Sequence, residues 1–118
     1  MKNGRTFGLM LLSVVAVWAS NAAAEDDKTA RTWKAKCGSC HGVDGKADTK
    51  QGKKMGMADL TTAAWQTEFT DEKIRKTVVD GISREKNGKQ QDMDPLGKEL
   101  DAAQIDALVK HARSLAKK

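Results

Sequence analysis

The stretch that most constrains this chain is "KCGSCHG", Lys36 to Gly42. It contains both cysteines of the sequence, two residues apart, with one of only two histidines directly behind. Thiols at that spacing can form a short redox disulfide, supply half of a zinc site, or add to the two vinyl groups of one porphyrin. The rest of the chain has to decide between these chemistries.

A bridge across two residues closes so short a loop that it constrains little of the unfolded chain. A thioredoxin-like dithiol needs a βαβ setting, and no stretch here alternates with period two for long enough to suggest a strand. A structural zinc wants four ligands, and after Cys37, Cys40 and His41 the only strong nitrogen donor left is His111. Covalent haem attachment accounts for every residue of the motif. Cys37 and Cys40 form the thioethers, and His41 is placed under the iron as a nitrogen ligand.

The rest of the composition agrees. The chain has 118 residues, but its first 24 read as a secretory signal peptide. Lys2 and Arg5 precede the apolar run Thr6 to Ala19, and Ala22 to Ala24 offer a cleavage site. That run is too short to span a bilayer comfortably. The expected mature protein is residues 25–118, one exported domain, periplasmic, with no stable membrane insertion after cleavage. Loss of Lys2 and Arg5 takes the formal charge from +5 to +3, too mild and unclustered for nucleic acid. Only Trp33, Trp65 and Phe69 remain as aromatics. A domain this small and poor in large apolar groups needs a staple, and a haem supplies one.

The local patterns predict an all-α domain with long loops. "EDDKTARTWKAKCGSCH" reads as an amphipathic helix ending at the cysteines. Gly42 to Leu60 lacks periodicity and reads as a long wrapping loop. "TTAAWQ" suggests a short helix. Thr70 to Gly81 is a firmer one, with an N-cap threonine, early acids and a terminal glycine. "SREKNGKQQDMDPLGK" reads as irregular, with an Asn87-Gly88 turn. Asp101 with Gln104 predicts a capping box flanked by the staple pair Leu100 and Ile105. The stripe Ile105, Leu108, Val109, Ala112 and Leu115 then marks the last helix.

With "CGSCHG", "ADL" at Ala58 to Leu60, "TDEKIRKTVVDG" and "MDPLGKELDAAQIDALVKHARSL" in place, the chain resembles a small monohaem class I cytochrome c over nearly all of residues 25–118. The resemblance implies three to five helices wrapped around one covalently bound haem c. It also implies that Met93, in the loop before the last helix, is the second axial ligand beside His41. A neutral thioether opposite histidine raises the reduction potential and closes the iron to small ligands. Met55 and Met57 are read as gap-filling methionines. His111 is the competing ligand and, in its plainer reading, a helix-packing residue. Leu60 matches a residue that packs on the porphyrin, and Ala58 stands where a proline carbonyl commonly accepts the proton of the proximal imidazole. Trp65 is read first as core, with an indole hydrogen bond to a propionate as its alternative. The family usually has an aromatic at position 111 and often glycine at position 29, so the crossing of first and last helices is expected to be looser or repacked here.

The function implied is one-electron transfer by a monomer, not catalysis. Lysines between Lys34 and Lys54, with Lys86 and Lys89, offer a basic rim for redox partner proteins with acidic docking faces. Asp44, Asp48 and Asp92 interleave with them, as on an ordinary solvated surface. A gas-binding or sensing haem domain with a labile sixth ligand is the alternative. A haem peroxidase ranks third, having no distal histidine candidate except His111.

Overall fold

A computed structural model describes residues 20–117 of the chain. Most of the expected signal segment lies outside the described residues. Helix α1 (Ser20–Lys36) begins inside it and crosses the expected cleavage point without a break. The remaining elements are α2 (Gly38–His41), α3 (Lys50–Met55), α4 (Ala63–Glu68), α5 (Asp71–Asp80), β1 (Ile82–Lys86), β2 (Lys89–Met93) and α6 (Ala102–Ser114). Among the described residues no helix is long and apolar enough to cross a membrane.

The helix ends follow their capping chemistry. The Thr70 side chain accepts from Lys73 N–H, and Asp101 and Gln104 close a full capping box, each side chain accepting from the other's backbone N–H. Each such cap satisfies backbone donors that the first turn leaves open, worth about 1 kcal/mol. Helix α6 buries Ile105, Leu108, Val109 and Ala112 against Trp33 of α1 and Ile74 and Val78 of α5. Leu60 and Leu96 complete this core from the loops.

Two readings of the sequence are corrected. The stretch Gly42 to Leu60 is not all loop, because α3 occupies its middle. Thr49 caps α3 by accepting from Gly52 N–H, and its own hydroxyl donates to the Cys40 carbonyl (2.7 Å). This helix presses a glycine, not a leucine, against its neighbour. A Cβ on Gly52 would lie 2.5 Å from the Ala47 carbonyl and 2.6 Å from that of Cys40. A helix seated through buried glycine has no apolar period to read.

The domain is also not free of strands. β1 and β2 form an antiparallel hairpin around Asn87-Gly88, pairing Ile82 with Met93, Arg84 with Gln91 and Lys86 with Lys89. Both faces of its outer part are polar, so the hydrophobic alternation that announces a half-buried strand is missing. With α2 and α3 formed, the described residues form six helical segments.

Arg113 ties α6 to the α4–α5 corner. Its Nε donates to Asp71 Oδ1 (2.7 Å), Nη1 to the Gln66 carbonyl (2.7 Å), and Nη2 to the Phe69 carbonyl. Arg113→Met keeps the aliphatic stem and removes every one of these bonds. It is expected to lower stability by about 2–3 kcal/mol, as bonds to a charged donor do. The check is the urea midpoint, which should fall at unchanged slope.

Candidate functional site

A cavity of about 500 Å³ opens between the helices and the hairpin, within the usual range of cofactor sites, about 300–1,000 Å³. Cys37 and His41 border it from the α1–α2 junction, Leu60 and Trp65 from the α4 region, and Ile82 and Met93 from the base of the hairpin.

The turn that holds the cysteines is built by backbone bonds. Cys37 N–H donates to the Trp33 carbonyl (2.8 Å) and His41 N–H to the Cys37 carbonyl (2.9 Å). Trp33 is buried, and its indole N–H donates to the Gly42 carbonyl (2.9 Å), pinning the turn from behind. The two sulfurs are unbridged. Burial, together with the neighbouring Cys40, pushes the Cys37 thiol up to about 11. Burial likewise pushes His41 down to about 4, so its imidazole is neutral at pH 7, the form that ligates metal.

His41 Nδ1 is buried and has no hydrogen-bond partner among the described residues. The carbonyl of Ala58, offered as its acceptor, therefore does not take this proton here. Ala58 borders the same cavity but is exposed, in the coil between the left-handed cap at Gly56 and Leu60. Without a proline ring nothing fixes its φ.

Among the described residues three methionines border the cavity: Met55, Met57 and Met93. Met93 is half-buried, packs against the core, and ends β2 in the pairing with Ile82. Leu60 is buried in the core beside the cavity. Trp65 is half-buried and stacked on Phe69, with ring centroids 5.1 Å apart at 18°.

His111 lies elsewhere. It does not border the cavity but packs on Trp33, with ring centroids 5.0 Å apart, at the crossing of α1 and α6. Burial lowers its pKa against the opposing pull of Asp26, and its Nε2 is buried without a partner among the described residues. The imidazole thus fills the place where an aromatic was expected, and Thr29 turns its hydroxyl back to the Glu25 carbonyl (2.8 Å).

Among the described residues no three His, Cys, Asp or Glu side chains gather as metal ligands. The proposed rim lysines are exposed, but several are engaged. Lys36 pairs with Glu99 and Lys53 with Asp48, both at 2.7 Å. What sequence reading missed is the hairpin's contribution: Arg84, Lys86 and Gln91 also border the cavity. The Asn87-Gly88 turn was the one available signal for it.

A mainly helical domain wrapped around a largely apolar cavity, with the Cys37 thiol and the neutral His41 imidazole at its edge and the Cys40 thiol in the same turn without bordering it, defines a haem-attachment domain. The residues fit the group: they supply thiols at the attachment spacing, an imidazole beside them, and a largely apolar chamber of suitable size. The cytochrome c family model matches residues 27–116, and the chain belongs to that family. Among solved structures, the KustC0563 c-type cytochrome is similar. It is 28% identical with a TM-score of 0.62, and the match covers 75% of this chain and 98% of that one. No curated protein matches the chain. Cys37 and Cys40 are accordingly spaced for attachment of haem c.

Proposed function

We propose that this protein is an exported one-electron carrier, processed after residue 24, with haem c held by Cys37 and Cys40 and ligated axially by His41 and Met93. The observation that carries the reading is that His41 and Met93, 52 positions apart in sequence by their numbers, border one cavity. Haem supplies reversible one-electron chemistry when bound. The chain's own part is to attach it, to exclude small ligands from the iron, and to leave an edge where a partner can dock. His111, away from the cavity, takes the helix-packing role. Leu60 and Trp65 serve as apolar wall.

The test is the visible spectrum of the mature protein matured with haem-attachment machinery, oxidised and reduced, with and without carbon monoxide. Carbon monoxide should leave the reduced spectrum unchanged. A carbon monoxide complex forming readily would instead favour the sensing reading. If the exposed lysines steer acidic partners, the rate of reduction by a purified partner should fall steeply with salt. A rate flat from low to high salt would remove the docking rim.

A further inference from the structure

The hairpin that ends in Met93 carries the positive charge of the cavity wall. Among the described residues that border the cavity, the only Lys or Arg side chains are Arg84 and Lys86. Both lie on β1, two residues apart, so they share a face of the strand. Ile82, two residues earlier, completes that face at the apolar base. The face therefore runs from apolar beside Met93 to cationic towards the turn.

The acids around the cavity stand differently. Asp92 is taken up by the Ser83 hydroxyl (2.9 Å) and the Gln90 amide (3.0 Å). Asp59 accepts from the Thr61 backbone N–H (2.8 Å) and from its hydroxyl. Glu68 belongs to α4, on the Trp65 side.

Arg84 is braced for use. Its Nε donates to Gln91 Oε1 (3.0 Å), and Gln91 Nε2 in turn donates to the carbonyls of Met55 (3.1 Å) and Gly56 (3.2 Å) at the end of α3. Lys89 Nζ adds a bond to the Lys53 carbonyl (3.1 Å). The hairpin is thereby strapped to α3, and among the described residues neither Arg84 nor Lys86 forms an ion pair. A guanidinium held at Nε still offers its terminal nitrogens to a carboxylate.

We propose that Arg84, assisted by Lys86, pairs with a propionate of the haem and so sets its reduction potential and the propionate's acidity. This rests on the haem-carrier reading above. A cation beside the haem disfavours the ferric state, which carries one more positive charge.

The experiment uses the mature holoprotein and compares wild type, Arg84→Gln, Arg84→Lys and Glu85→Gln by redox titration across pH. At a fixed ambient potential near neutral pH, Arg84→Gln should lower the reduced-to-oxidised ratio about tenfold, which is about 59 mV for one electron. Its pH profile of potential should show the propionate step moved upward, with the axial-ligand spectrum unchanged. Arg84→Lys should recover most of the shift. Glu85→Gln removes a charge from the neighbouring position on the opposite face, and should change the ratio by less than about twofold. An Arg84→Gln shift no larger than that of Glu85→Gln, with an unmoved pH profile, would overturn the proposal while leaving the carrier reading intact. A wild type that attaches no haem would overturn the carrier reading first, and this inference with it.

Discussion

Met93→Ala is expected to convert a reduced protein that ignores carbon monoxide into one that binds it to near saturation, and to lower its reduction potential. The thioether is the soft ligand that favours ferrous iron, so water in its place favours ferric. The side chain is only half-buried, so the packing loss should sit near the lower end for such truncations, about 2 kcal/mol. Met55 and Met57 border the same cavity, which makes Met57→Leu the necessary companion. That substitution keeps volume and removes sulfur, and it should leave both carbon monoxide behaviour and potential unchanged. If Met57→Leu opens the iron and Met93→Ala does not, the ligand comes from the α3–α4 loop and the assignment of Met93 is wrong.

The second large effect is expected at Gly81, which has no contact with iron chemistry in sequence terms. It ends α5 with φ 71° and ψ −175°, a region only glycine enters cheaply. A Cβ there would run into the Met93 carbonyl and lie 2.8 Å from Pro95 N and 3.1 Å from the Asp94 carbonyl carbon. All three are backbone atoms, so no side chain can swing aside. Gly81→Ala should cost at least about 3 kcal/mol, from backbone strain and overpacking together. Relief would come by pushing the Met93–Pro95 segment away, so the variant should also begin to bind carbon monoxide. Gly88→Ala is the control. Its φ is 74°, yet among the described residues nothing lies within 4 Å of the added methyl group, so it should cost only about 1 kcal/mol and leave the iron closed. Equal stability losses in the two variants would show that the contact with the Met93 segment carries no weight.

The strapped hairpin connects these predictions. Gly81 admits the chain into β1, the pairing of Ile82 with Met93 fixes the end of β2, and Gln91 ties the hairpin to α3. Leu96 and Gly97 then bond back to the carbonyls of Val78 and Val79 (2.9 and 3.2 Å). The segment bearing Met93 is thus held on both sides by backbone hydrogen bonds.

Much of this architecture is legible in the residues alone. The attachment motif, the caps at Thr70 and Asp101 and the stripe of α6 are local. Their chemistry is decided by residues within a few positions of one another, and the structure places the caps and stripe as the spacing requires. Position 111 is legible only in part: the sequence marks a departure from the family's aromatic, but not that the imidazole stacks on Trp33. Helix α3 is invisible because its buried contact is a glycine, and the hairpin because its alternation is in charge rather than hydrophobicity. The orphaned Nδ1 of His41 leaves no local signal either, since a hydrogen bond to a loop carbonyl depends on where the loop lies.

The sequence by itself determined the chemistry: which residues can hold haem, where helices begin and stop, and that the core lacks bulk. Only the tertiary structure decided which distant side chains share the cavity. It gathered Met93, Arg84 and Lys86 on one hairpin and set His111 apart, behind Trp33. The physical reason is that such placements arise from strand register and backbone hydrogen bonds between segments far apart in the chain, which no local periodicity encodes.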